Sequence, residues 1–308
     1  MWNARREGQV AEVTPMGIAV VIPVRNRERL VEPTLESLAA QTRRPDRIIL
    51  VDNGSTDSTL QTLRRFAEDK PHVMVLSEPR PGAAEARNCG LDAVREDYVM
   101  FFDSDDLMPP RHIEEVMAEL QHNDFPDIGA FGMVRRGLDG STVHKPFRGG
   151  DLMYQHLFHC ILSTQCYVVR TEFIRRAGRW PEMTPVWDDF ILGVRLLCRN
   201  PRLCELKLSE PVQIIAQTDS ITGLDFSSKA GLWEQALDSV ARELRSGHAE
   251  KYLPLVDCRR AILAGEYRRE GHPDLAKNLT PTLKSRLIAR YVALGGRGVA
   301  TLFPLLPF

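Results

Sequence analysis

Unbroken apolar runs, rather than alternating ones, organise the first hundred residues. Residues 18–22 (IAVVI, closed by Pro23), 47–51, 73–76 and 98–102 (YVMFF) are short and rich in β-branched or aromatic side chains. Runs of that kind read as strands buried on both faces. Between them, polar segments carry apolar residues at helical spacing: Leu30, Leu35 and Leu38 within 28–41, then Leu60, Leu63, Phe66 and Ala67, then a helix over about 83–94. Strand and helix in alternation predict an α/β fold with a mainly parallel central sheet flanked by helices.

After Asp127 the pattern changes. Residues 128–134 read as one strand, RRGLDGST as a hairpin turn and 142–145 as its antiparallel partner. A helix over 151–162 carries His156 and His159, a pair that suits packing or surface better than metal. A strand over 163–170 and an arginine-rich loop lead to a helix that opens with Asp188 and Asp189. Short strands at 203–208 and 212–216 follow, and beyond Gly223 only helices are expected, near 227–245, 255–269 and 284–294. The chain thus divides into an arm (1–16), a first half (17–125), a second half of the same domain (126–225) and a helical C-terminal extension (226–308).

At 308 residues the chain has room for a large core, and its formal net charge of −1 gives no overall attraction to nucleic acid. Six cysteines without a CxxC pair fit reduced core thiols and a cytoplasmic setting. No signal-peptide pattern precedes the first strand, and no apolar run is long enough to span a membrane.

Candidate chemistry collects where the strands end, the edge at which open α/β sheets bind ligands. The fourth strand runs straight into Asp103, Ser104, Asp105 and Asp106. Crowded carboxylates repel, and a divalent cation sharing their charge relieves them; hard oxygen ligands suit magnesium or manganese. A solvated turn, with Asp106 capping the helix that Pro109 and Pro110 begin, is the other reading. An EF-hand loop is excluded, because Met108 stands where glycine is required. Asp52 follows the second strand and is placed to accept from a base or ribose donor, while Ser55, Thr56 and Asp57 form a helix-cap cluster. Arg25, Asn26 and Arg27 follow the first strand, as phosphate ligands or as solvated loop arginines. Gly82 lets backbone approach a ligand closely, and Arg87 with Asn88 lies one turn into the next helix, aiming a planar fork toward a pyrophosphate or pairing with a nearby acid.

Three of these segments, VVIPVRNR, VDNGSTDST and FFDSDD, resemble in order and spacing a family 2 glycosyltransferase of the GT-A fold, over about residues 18–222. The resemblance implies a nucleotide-diphosphate-sugar donor, a UDP-sugar in kind, a divalent metal (Mn2+ or Mg2+) on its pyrophosphate, and inverting transfer. It places Pro23, Val24 and Arg25 at the base pocket and Asp52 on the base, commonly uracil. Gly82, Arg87 and Asn88 then flank donor and phosphate, and Asp103, Ser104 and Asp105 form the Asp-x-Asp motif, with Asp105 the principal metal ligand. WDDF at 187–190 fills the family's acidic-pair slot, making Asp189 the base and leaving Asp188 to cap or to pair with an arginine such as Arg179. Two departures stand out: Val24 where relatives often carry an aromatic residue, and Gln217 where they often carry a metal-binding histidine.

A haloacid-dehalogenase-type phosphatase needs its aspartates after the first strand, and a dinucleotide oxidoreductase needs GxGxxG there; neither pattern is present. A non-catalytic nucleotide-sugar-binding module is the remaining alternative, and it has little use for the Asp188/Asp189 pair. The acceptor is not legible. Basic residues beside the apolar tail GVATLFPLLPF suggest peripheral contact with an anionic membrane, a docked C-terminal helix being the competing reading.

Overall fold

The computed structural model describes residues 16–217 and 225–302. The expected N-terminal arm up to residue 15, the part of QTDSIT after Gln217 and the tail 303–308 lie outside the described residues.

Four parallel strands form one side of the main sheet: β1 (Ile18–Val24), β2 (Arg47–Asp52), β3 (Val73–Ser77) and β4 (Tyr98–Phe101), in spatial order β3-β2-β1-β4. The sheet continues through β8 (Tyr167–Arg170), antiparallel to both its neighbours, to β5 (Ile128–Ala130) and β9 (Leu203–Glu205). Strand order reverses at β1, which lies between β2 and β4. A crevice therefore opens at their carboxyl ends.

The apolar runs are unbroken because both faces of each strand are covered. Ala19, Val21, Ile49, Val99 and Phe101 enter one core, with α3 (Ala83–Ala93) and α7 (Asp188–Leu197). Val20, Ile22, Ile48, Leu50 and Met100 enter the other, with α1 (Val31–Ala39) and α4 (His112–His122). Helix α3 lies hard against the sheet: a Cβ on Gly90 would sit 2.4 Å from Val21 Cγ1.

The second half departs from expectation in three places. Residues 128–134 are two strands, not one, because the chain leaves the main sheet at Phe131–Gly132 and starts β6 (Met133–Arg136) of a small sheet, ordered β10-β6-β7 with β10 (Val212–Ile215) and β7 (Thr142–Lys145). Gly132 permits the crossing, since a Cβ there would lie 2.9 Å from the Lys145 carbonyl. The strand expected over 163–170 begins only at Tyr167. The arginine-rich loop is partly helical, as α6 (Thr171–Ala177), whose Arg175 donates to the carbonyls of Leu91 and Val94 and so satisfies the end of α3.

The helices at 151–162 and beyond 226 form as expected with ends shifted by up to three residues: α5 (Leu152–His159), capped by the Asp151 side chain, α8 (Ala230–Ser246), α9 (Leu253–Arg269) and α10 (Leu283–Ala293). His156 is fully buried, with its ring 2.9 Å from the Phe190 carbonyl and accepting from Leu162 N–H; burial lowers its pKa to about 4. It packs α5 against α7. The extension is continuous with the first core: Trp233 of α8 is fully buried, its ring centroid 4.8 Å from that of Trp187.

Candidate functional site

Asp52 ends β2 in register with Val24 and Ser77. It is 4% exposed; its Oδ2 accepts from Ser55 N–H at 3.4 Å, and its Oδ1 is buried with no partner among the described residues. A buried carboxylate oxygen lacking a donor is unfavourable until a ligand N–H or O–H reaches it. Beside it, Asn53 ties its own loop to the one between β3 and α3. Its amide donates to the carbonyls of Glu78 and Arg80, and its oxygen accepts from the N–H of Gly82, the left-handed residue that starts α3. Sequence reasoning passed over Asn53, whose identity alone does not distinguish a tether from a turn.

At the end of β1, Arg25 is exposed and Pro23 half-buried. Val24 is 1% exposed and lies in the same core as Val31 of α1. Its phase in β1 puts it on the α1 face of the sheet, with Val20 and Ile22.

The loop after β4 is held from several sides. Arg87, 5% exposed on α3, donates from Nη2 to Asp103 Oδ1 at 2.8 Å and from Nη1 to Asp188 Oδ2 at 2.7 Å, while its guanidinium stacks 4.4 Å from the Trp180 ring. Burial works against its charge, yet Asp188 and then Asp103 outweigh that and raise its pKa. The fork thus engages two carboxylates instead of reaching outward for a pyrophosphate. Asn88 is likewise engaged, exchanging hydrogen bonds with the backbone of Trp180 on both sides of its amide. Asn88 thereby anchors the segment at Trp180 to α3.

Asp106 does not cap α4, whose N-cap is Arg111. It is 2% exposed; its Oδ1 accepts from Ile215 N–H at 2.8 Å, and its Oδ2 accepts from Gln165 Nε2, which also donates to Asp103. Burial and then the charge of Asp103 push its pKa up to about 9. Gln165, inside a segment that reads as plain strand, gave no signal of this bridge. Asp105 stands 3.8 Å from Arg27 Nη2.

Asp188 and Asp189 open α7 directly after Trp187, which is left-handed at φ 56°. Asp188 pairs with Arg87, not with Arg179, which reaches Asp92 instead. Asp189 Oδ1 accepts from Phe190 N–H, and its Oδ2 lies 4.0 Å from the Cys160 thiol. Burial raises the pKa of Asp188; burial and then the charge of Asp188 push that of Asp189 up to about 7. That is the range a base working near neutrality needs.

Arg87 therefore joins the Asp-x-Asp loop to the acid pair, carried by segments far apart in sequence. Among the described residues no three His, Cys, Asp or Glu side chains gather as a metal site. The chain brings Asp103 and Asp105 on one loop, and such a pair completed by phosphate oxygens is a donor set that suits magnesium or manganese.

Residues 19–168 match the family model described as Glycosyl transferase family 2. The uncharacterized glycosyltransferase YibD of Escherichia coli K12 is 35% identical over 107 residues, covering 35% of this chain and 31% of that protein. The chain thus spans about a third of that relative's length. Among solved structures, TarS 1–349 of S. aureus in complex with UDP superposes with a TM-score of 0.63 at 16% identity, covering 91% of this chain and 92% of that one. The mannosyltransferase PcManGT of Pyrobaculum calidifontis, in complex with GDP-Man and Mn2+, gives 0.56 at 19% identity, over 95% and 84%. The fold is that of these GT-A transferases.

Proposed function

The chain belongs to glycosyltransferase family 2 through residues 19–168, and on that premise we propose that it transfers a sugar from a nucleotide-diphosphate sugar, a UDP-sugar, to an acceptor hydroxyl with inversion. The observation that carries this is the Arg87 fork, which sets Asp188, and with it Asp189, beside the Asp103 loop. The buried Oδ1 of Asp52, with no partner among the described residues, supports recognition of a base N–H.

In the reaction the acceptor oxygen bonds to the anomeric carbon as the bond from that carbon to the diphosphate oxygen breaks, and the diphosphate leaves with the electron pair. Asp189 takes the acceptor proton; attack from the face opposite the leaving group inverts the centre. Arg87 holds the loop and the acid pair in mutual position. Asp103 and Asp105 would hold Mn2+ or Mg2+, which when bound neutralises charge on the diphosphate. A non-catalytic sugar-nucleotide binder gains nothing from an aspartate whose pKa is raised toward neutrality.

Titration calorimetry with UDP and GDP, with and without Mn2+, tests the donor half of this reading. UDP should bind more tightly than GDP, with Asp52→Ala removing the preference. No binding of either nucleotide would end it.

The working site we infer is cytoplasmic and peripheral to a membrane face. On α10, Leu283, Leu287, Tyr291 and the following Leu294 are all exposed along one side, flanked by exposed Arg286 and Arg290. No acid follows Asp274 in the sequence. Such a face suits the interface of an anionic bilayer. Among the described residues no helix is long and apolar enough to cross one.

A further inference from the structure

Arg259 lies on α9, in the C-terminal extension, with its guanidinium 5.3 Å from the Trp187 ring centroid and 5.6 Å from that of Phe190. These are the two aromatic residues that bracket Asp188 and Asp189. Its Nε is buried without a hydrogen-bond partner, and among the described residues no carboxylate pairs with it. The neighbouring Arg260 is satisfied twice over, by Asp238 and Asp257 at 2.7 Å each. A half-buried guanidinium without a counter-charge is unfavourable, and stacking on aromatic rings offsets only part of that.

The surroundings are cationic as well. Arg259 and Lys145 both act on the Cys160 thiol, whose sulfur lies 4.0 Å from Asp189 Oδ2. After burial, Arg148 and Arg259 are the charges that hold His159 below its ordinary pKa. Arg148 and Lys145 are exposed. Lys145 ends β7 and Arg148 stands three residues on, so both come from the second half of the domain, whereas Arg259 comes from the extension. The positive charge thus gathers around Cys160 and His159, on the Asp189 side of the site.

We propose that Arg259, with Arg148 and Lys145, forms an anion-binding subsite beside Asp189 that holds a phosphate or carboxylate group of the acceptor. A planar fork matches either anion in bidentate fashion, and its rigid seat on Trp187 sets the distance from the bound anion to the base. The acceptor class is therefore an acidic one, a phosphate ester or an acidic sugar, with the reacting hydroxyl near its anion. This rests on the transferase reading for the identity of the base, but the subsite is testable without turnover.

The test is a titration of the full chain, at saturating UDP so that the donor phosphate region is filled, with inorganic phosphate, acetate and glycerol as separate arms at constant ionic strength. Tryptophan fluorescence reports it, because Trp187 lies against the guanidinium. Phosphate or acetate should give a saturable change and glycerol none; the stronger of the two anions names the source. Arg259→Gln should weaken that binding about tenfold or more, as for loss of a charge-assisted contact. Arg148→Gln and Lys145→Gln, at exposed positions, should each weaken it by a smaller factor, and they decide the matter if Arg259→Gln does not fold. Equal anion affinity in wild type and variants overturns the proposal, as does a signal abolished by UDP, which would place the anion in the donor site. Failure of UDP itself to bind counts against the transferase reading and leaves an Arg259-dependent anion site standing.

Discussion

Arg87 and Asp188 form a 2.7 Å ion pair across 101 residues of sequence, and the other arm of the same guanidinium holds Asp103. Removing one partner of a buried pair leaves the remaining charges unbalanced. Arg87→Leu should destabilise the protein by about 3–5 kcal/mol, the usual scale for breaking such a pair. Urea unfolding at neutral pH measures it, and a loss below about 1 kcal/mol, the scale of an exposed pair, would mean that the bridge is not structural.

Asp189→Asn should keep UDP binding and lower transfer about a hundredfold or more, the scale of a lost general base. The base acts only when ionised, so the wild-type rate should rise with pH and level off above about 7, where burial and Asp188 place its pKa. A pH–rate profile flat between 5 and 8, or an Asp188→Asn variant that alone loses transfer, would assign the proton to another group.

For Asp106 the native pKa, up to about 9, lies above its unfolded value. The folded state thus binds the proton more tightly, so this group's contribution is fully present below about pH 4 and is lost as pH rises toward 9. Asp106→Asn, which still accepts from Ile215, should flatten the fall in stability over that window and match or exceed wild type at pH 8. An unchanged slope of unfolding free energy against pH would show that Asp106 is not its source.

Asp105→Asn should leave the fold intact and reduce the Mn2+-dependent gain in UDP affinity by about tenfold or more, at least what losing an outer-shell partner costs a metal site. Calorimetry with and without Mn2+ checks this. The same metal-dependent gain in variant and wild type would remove Asp105 from the ligand set.

Co-sedimentation with vesicles carrying anionic lipid should show binding that falls with added salt and is lost in a Leu287→Glu, Leu294→Glu double variant. Binding absent from wild type, or a stable dimer through this face in solution, would assign the exposed leucines to another purpose.

The first half was legible because strands buried on both faces leave unbroken apolar runs, and because parallel strands deliver their following loops to one edge. Asp52 and the acids after Phe102 are at that edge as the pattern implied. What was not legible depended on contacts distant in sequence. The break at Gly132 follows from the nearness of the Lys145 carbonyl, and the place of Val24 on the α1 face from its phase in β1. Asp106 serves Ile215 and Gln165 rather than a helix end, and Arg87 meets acids instead of open space. A side chain's partner cannot be read from its own neighbourhood when that partner arrives on another element.

The packing of Trp187 against Trp233 and under Arg259 has a consequence for how such a chain can be recombined. The acid pair lies on α7, but its aromatic seat is half built by helices that follow residue 226. A chimera joined at that boundary would couple one relative's acid pair to another's seat. Exchanges that preserve this seat would move the 187–190 turn and helices α8 and α9 as one unit.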